Sequence, residues 1–433
     1  MKKSLIALAV LGTSFAASAQ VTLSGRAAME VGNWQATGAT AGAASDLRDR
    51  TRVADVGSRV ILSVNEDLGG GLRAFVMCET GINIDNGSST GQANTNNANT
   101  TTWCSREGHA GIGNRTAEVR LGRQNVWWTQ GPINVTGARW HAGDAVTDLI
   151  TGGIGQYTVR GENMIMLVAG PGTGAWAGSN VYMGFMGASG HVIPGITSAA
   201  TTGISAGQDQ GESVGANTSA KGKYQGLKIA YSQGALVGSF DMQTSSTGPM
   251  TAATQASAAA LTAAAANPIA TGPLVATLGT NTNLERSAWK LGAGYRYSGT
   301  KSPNIVSIQY VDRERTITPG TGSAVKAKEN LIALVGQYDM GKGWIINGTY
   351  GKTSDRKDNN VTAADTGATS YGLGVVKTLS NRTHALFHYR TINNEKNASY
   401  GFAGGNYAGG GGATGAPIGA SSKAWGLGLV HLF

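Results

Sequence analysis

The stretch Ser58-Arg59-Val60-Ile61-Leu62-Ser63-Val64-Asn65-Glu66 alternates with period two. Arg59, Ile61, Ser63 and Asn65 fall on one side and Val60, Leu62 and Val64 on the other, the mark of a strand with two unlike faces. A glycine-rich turn follows, Asp67-Leu68-Gly69-Gly70-Gly71, and then Leu72, Ala74 and Val76 stand against Arg73, Met77 and Glu79, so the two runs read as a hairpin. The pattern returns far down the chain. Trp289, Leu291, Ala293, Tyr295 and Tyr297 oppose Lys290, Gly292, Gly294 and Arg296, and Ala385, Phe387 and Tyr389 oppose His384, His388 and Arg390. These runs approach about ten residues, where strands of soluble sheets average about five to six.

Composition narrows the class. The 66 glycines among 433 residues follow no three-residue period, which excludes a collagen helix, and a charged fraction of 14% is too low for a charged disordered tail or a coiled coil. The formal charge of +9 is spread over singly placed Lys and Arg, which is not the footprint of a nucleic-acid binder. Lys2 and Lys3, the apolar run Leu5 to Phe15 and the small residues Ala17-Ser18-Ala19 together predict a secretory signal peptide over residues 1–19, leaving a single domain over 20–433. No later stretch approaches the roughly 18 to 20 apolar residues of a spanning helix. Cys78 and Cys104 are the only cysteines, and an oxidising compartment permits them to pair, with two free thiols as the alternative.

A transmembrane antiparallel β-barrel unites these features: strands of about ten residues that alternate apolar-out and polar-in, short turns at one end and long loops at the other. In lipid every backbone polar group needs a partner, and a closed barrel is the sheet without an edge. Sixteen strands fit the length, eighteen also fit, and eight would leave implausibly long loops. Gly81 to Thr102, Gly187 to Gly222, Thr244 to Thr282 and Tyr400 to Gly419 have the low-complexity composition of such loops. The Ala258 to Ala266 run is too short to hold a helix in water and is assigned to a loop. The chain finishes on an alternating run, Ala424-Trp425-Gly426-Leu427-Gly428-Leu429-Val430-His431-Leu432-Phe433, that resembles the C-terminal strand by which outer-membrane barrels are recognised for insertion.

The sequence resembles the Gram-negative general porins, particularly their beta-proteobacterial branch. The residues that carry the resemblance are Val21-Thr22-Leu23-Ser24-Gly25, Ser58-Arg59, Glu66-Asp67-Leu68-Gly69, Gly71-Leu72-Arg73-Ala74, Glu79-Thr80-Gly81, Ser105-Arg106-Glu107, Leu121-Gly122-Arg123-Gln124, Arg160-Gly161-Glu162-Asn163 and His431-Leu432-Phe433. It departs from them at His109, where an aromatic is usual, and in the length of the loop from Thr244 to Thr282. The resemblance implies a sixteen-stranded barrel, a homotrimer in contact with outer-membrane lipids and lipopolysaccharide, and passive diffusion of small polar or anionic solutes, with no cofactor. It places residues 125–159 as a third loop folded inward to form the constriction. Arg59, Arg106 and Arg160 become the basic wall of the pore, Glu79 with Asp144 or Asp148 the facing acids, and Phe433 the assembly signal.

Three guanidiniums at a narrow, low-dielectric passage favour anions, and Lys290 and Arg296, on the lumen register, would add to the field. Cys78 and Cys104 are expected to bridge the base of the loop between adjacent strands. Tyr297, Tyr338, Trp344 and Trp425 fit the membrane-interface girdle. A substrate-specific channel for organic anions, with a saturable site, shares every one of these features. An enzyme does not: the six histidines, among them His384 and His388, form neither a triad nor a metal spacing. A solenoid adhesin would show a short internal repeat, and the sequence has none.

Overall fold

The computed structural model describes residues 20–82, 84–85, 103–125, 146–151, 160–170, 174–186, 222–246, 283–297, 304–318, 323–402 and 416–433. Its strands are β1 (Gln20–Thr37), β2 (Leu47–Asp55), β3 (Arg59–Gly69), β4 (Leu72–Gly81), β5 (Glu107–Gly113), β6 (Ala117–Asn125), β7 (Arg160–Ala169), β8 (Ser179–Met186), β9 (Gly222–Gln233) and β10 (Leu236–Ser246). The second half adds β11 (Asn283–Arg296), β12 (Ile305–Thr318), β13 (Val325–Gly341), β14 (Trp344–Thr353), β15 (Arg356–Asp358), β16 (Val361–Ala363), β17 (Ala368–Thr378), β18 (Thr383–Asn394) and β19 (Ser421–Leu432). Among the described residues a short helix, α1 (Val146–Thr151), lies between β6 and β7, and a 3-10 turn (Ala43–Ser45) lies between β1 and β2.

All nineteen strands belong to one antiparallel sheet that closes on itself, because β1 pairs with β19 on one side and with β2 and β3 on the other. β2 and β3 are a single wall strand interrupted at Val56-Gly57-Ser58, and β15 and β16 form a hairpin within the connection from β14 to β17. The wall therefore has sixteen strands, the smaller of the two counts the length admits. Closure is completed by reciprocal backbone bonds: Gly25 N–H donates to Phe433 O at 3.0 Å and Phe433 N–H to Gly25 O at 3.2 Å. The Phe433 ring lies where a side chain at position 25 would be, so only glycine admits it.

The period-two reading is reproduced strand by strand. Leu62, Val76, Ile112, Leu121, Leu291 and Leu429 point outward and are exposed, while Glu79, Glu118, Asp241, Lys290, Asn347 and His388 point inward and are buried. A wall with its apolar side out is unfavourable in water and favourable in hydrocarbon. Outward aromatics meet in pairs along it: Tyr297 and Tyr338 stack with centroids 6.4 Å apart, Trp289 and Tyr310 are 5.2 Å apart, and Tyr350 and Tyr371 5.4 Å.

One loop boundary shifts, and the start of another loop packs inward. β10 runs to Ser246, because Thr244, Ser245 and Ser246 pair on both sides, so the loop expected from Thr244 begins later. Tyr400 and Phe402, expected in an outer loop, are buried in an apolar cluster with Trp34 and α1 inside the barrel. The expected signal segment 1–19, Asp144 and the alanine run 258–266 lie outside the described residues, as do the side chains of Asp148 and Arg160.

Candidate functional site

The break between β2 and β3 builds the site. Asp55 Oδ1 accepts the Gly57 and Ser58 N–H groups at 2.7 and 2.9 Å, and Gly57 sits at φ 103°, a conformation glycine adopts freely. Ser58 Oγ accepts the Ala28 N–H at 2.9 Å and restores the pairing that the bulge interrupts. The bulge offers the Gly57 carbonyl to two guanidiniums: Arg26 Nε donates to it at 2.7 Å and Arg59 Nε at 3.4 Å. Arg26 and Arg59 are themselves cross-strand partners.

Glu79 gathers the cluster. Arg59 Nη1 pairs with Glu79 Oε1 at 2.9 Å and Arg106 Nε binds the same oxygen. Arg106 N–H also donates to the Glu79 carbonyl at 2.9 Å. Sequence reading set Glu79 as an acid facing the arginines, whereas the structure puts it beneath them on the same wall. Glu107, directly opposite Glu79 across β4 and β5, is bound by the Asn125 amide, and Arg123 Nε donates to the Arg106 carbonyl at 3.3 Å. Three guanidiniums, of Arg26, Arg59 and Arg106, thus stand against the carboxylates of Asp55, Glu79 and Glu107. The carboxylates are the deeper layer: side-chain exposure is 4% for Glu79 against 19% for Arg59 and 12% for Arg106. What meets the lumen is predominantly guanidinium.

Helix α1, in the segment between β6 and β7, lies on the far side of the lumen from those strands. The segment is anchored at both ends on the near wall. It leaves the wall at Asn125 and returns at Arg160, which pair with each other, yet α1 packs against β13, β14 and β17, about halfway round the circumference. Val146, Leu149 and Ile150 are buried against the inward residues Leu331, Ala333 and Ala368. Gly351 leaves room for Val146 and Leu149. Arg313 holds the helix end. Its Nη1 donates to the Leu149 and Ile150 carbonyls at 2.7 and 2.8 Å, which suits a cation at a helix C-terminus, and its Nη2 pairs with Glu329 Oε1 at 2.7 Å. Tyr400 donates its hydroxyl to Glu329 Oε2 at 2.7 Å.

The structure thus brings Arg59, Arg106 and Glu79 together and adds Arg26, Arg123, Glu107 and Arg313, which sequence reading missed. The Asp55-Val56-Gly57-Ser58 turn signal in the middle of a strand pointed to the bulge. Nothing local marked Arg313. Lys290 does face inward, but it is wholly buried with its Nζ 3.4 Å from Asp241 Oδ2, and Lys228 pairs in register on the other side of Asp241. Arg296 lies near the short turn between β9 and β10, donating to Ser232 Oγ at 2.9 Å. His109 packs edge-on against Phe75 with centroids 6.2 Å apart. Cys78 and Cys104 form a disulfide on the outer side of the wall, and Gly108 admits the Cys104 side chain.

A family model described as Gram-negative porin matches residues 4–397. The chain is 32% identical over 146 residues to a major outer membrane protein P.IB of Neisseria gonorrhoeae, covering 33% of this chain and 37% of that protein. The corresponding protein of Neisseria lactamica matches at 30% over 150 residues, 35% and 40% of the two chains. The matched stretch thus spans little more than a third of these relatives. Among solved structures, the anion-selective porin from Comamonas acidovorans aligns with TM-score 0.59 at 20% identity, covering 96% of this chain and all of that one. The trimer form of OmpT from Vibrio cholerae aligns with TM-score 0.56 at 12% identity, covering 96% of this chain and 100% of that one.

Proposed function

The chain belongs to the Gram-negative porin family, channel proteins of the outer membrane and not enzymes, and from that premise we propose that it forms a water-filled pore for passive diffusion of small hydrophilic solutes with a preference for anions. The layering of the arginine cluster carries the reading: carboxylates are buried and guanidiniums face the lumen. An ion stripped of part of its hydration in a narrowed passage responds to the nearest charges, because low-dielectric walls focus their field. Arg160, at the foot of the constriction loop, adds a further positive charge, and Asp144 or Asp148 on that loop supplies the facing acid. The name of the Comamonas porin agrees with this preference.

A homotrimer fits the outer surface. Among the described outward strand residues of β3 to β7 the exposed large apolar side chains are aliphatic, including Leu62, Val76, Ile112, Val119, Leu121, Ile165 and Leu167, and the exposed aromatic of this sector, Trp103, stands in the connection between β4 and β5. From the connection between β7 and β8 onward the wall carries Trp176, Trp289, Tyr295, Tyr297, Tyr338, Trp344, Tyr371, Tyr389 and Trp425. Aromatic belts mark contact with the lipid interface, so the sector without them is suited to a second copy of the chain. The belted remainder faces outer-membrane lipid and lipopolysaccharide. Residues 1–19 serve as the export signal.

The test is the zero-current potential of the purified protein across a tenfold KCl gradient in a planar bilayer. Chloride preference with conductance steps in threes is expected. Potassium preference overturns the role given to the arginines, and saturation of conductance by organic anions would favour a substrate-specific channel.

A further inference from the structure

The arrangement at Glu79 is built a second time on the same wall. Glu118 on β6 takes Arg73 Nη2 on Oε2 at 2.8 Å, and Arg120 Nε on Oε1 at 2.5 Å. Both carboxylate oxygens are thereby used, and the Glu118 side chain is wholly buried. The two guanidiniums are the exposed layer again, with side-chain exposures of 43% for Arg73 and 24% for Arg120. Arg73 is further fixed by Asn65, whose Oδ1 accepts from Nη1 at 3.1 Å, and by the Phe75 ring, with Cζ 4.9 Å from its centroid.

The two clusters occupy opposite ends of β4. Arg73 and Glu118 flank Gly113 in one cross-strand row next to the short turns, whereas Glu79 and Glu107 form a row beside the long loops. Six residues separate Arg73 from Glu79, about 20 Å along a strand. Gly111, between Phe75 and Arg120 in register, leaves room for the Phe75 ring that supports Arg73.

We propose that Arg73 and Arg120, held over buried Glu118, form a second anion-binding station between the arginine cluster at the constriction and the short-turn mouth, one that takes small oxyanions of the phosphate class. This deepens the anion-selective reading and rests on it. Glu118 neutralises one of the two charges, and Asp67, the cross-strand partner of Arg73, accepts the Gly69 amide in the turn at 2.8 Å. Each guanidinium retains N–H donors beyond those bound to Glu118, and a planar fork matches phosphate oxygens in a way an ammonium does not. Two stations in series let an anion leave one cation while approaching the next, so that neither traps it.

The experiment measures channel conductance in rising potassium phosphate for the wild type and for the double variant R73Q/R120Q. The wild type is expected to saturate, and the variant to raise the half-saturation concentration at least threefold; an unchanged value overturns the station. If the glutamine pair yields no heat-resistant barrel, R73K/R120K is read instead. It retains the charge and loses the fork, so a weaker phosphate response is expected, and an unaltered one overturns the proposal equally. Potassium preference of the wild type in KCl alone, measured first, would defeat the anion-selective reading itself and with it the station.

Discussion

Arg313 Nη1 donates to the carbonyl of Leu149 at 2.7 Å, joining two residues on elements that are remote in sequence and fixing α1 to the far wall of the barrel. The contact is wholly buried and shared with Glu329, which in turn accepts from Tyr400. The position of α1 is therefore set from the wall side, by a cation with more donors than any other residue could supply at that point.

Replacing Arg313 by Gln is expected to release α1. Breaking one side of a buried pair typically costs about 3 to 5 kcal/mol, here concentrated on the loop and on Glu329. Single-channel recording should show a larger and noisier conductance, while the heat-modifiable mobility of the barrel persists. A conductance trace identical to that of the wild type would remove Arg313 from control of the pore.

Glu79→Gln tests the layering of the charges. It removes the carboxylate shared by Arg59 and Arg106 and leaves their guanidiniums facing the lumen. The chloride-to-potassium permeability ratio should rise by about twofold, because the focused field gains one uncompensated charge. Arg106→Glu should move the same ratio in the opposite direction, and both are read from zero-current potentials.

The Cys78–Cys104 disulfide closes a loop of 26 residues in sequence, worth about 3 kcal/mol by restriction of the unfolded chain. Alkylation of unreduced protein should find no free thiol. Cys104→Ser should speed proteolysis between residues 82 and 106 without opening the barrel, since the strand pairing of β3, β4 and β5 is independent of the bridge.

Glu395, in the connection after β18, is held above the usual carboxyl range by burial and by the carboxylates of Asp355 and Asp365. The folded chain therefore binds this proton more tightly than the unfolded chain. The contribution to stability is present below the ordinary glutamate range and is lost as pH rises through the raised value. Glu395→Gln should consequently slow hydrogen exchange at the Gly367 amide, which donates to Glu395 at 3.0 Å, at neutral pH and have little effect in acid. Equal protection in the two proteins at neutral pH would contradict this.

Alternation in Ser58 to Glu66 and in the strands from Trp289 and Ala385 was enough to read the barrel, because a wall between lipid and water forces opposite chemistry onto successive residues of every strand. The turn at Asp67 to Gly71 and the terminal Phe433 were legible for the same reason: each is a local requirement written in adjacent residues. Arg59 and Glu79 stand on the lumen registers of β3 and β4, whereas Arg106, which precedes β5, could be named only through the family resemblance. Their order in depth could not be read from sequence, because it depends on which carboxylate the bulge at Gly57 and the register of β3 with β4 bring under which guanidinium. Arg313, Glu329 and Tyr400 were invisible in the same way. They meet α1 only because the chain between β6 and β7 crosses to the far wall, a contact between segments more than 160 residues apart in sequence. The sequence by itself determined an outward-apolar closed sheet and the charges lining it, through the period of the strand; pairing register and closure of the barrel decided which charges are buried, which face the lumen, and what holds α1 in place.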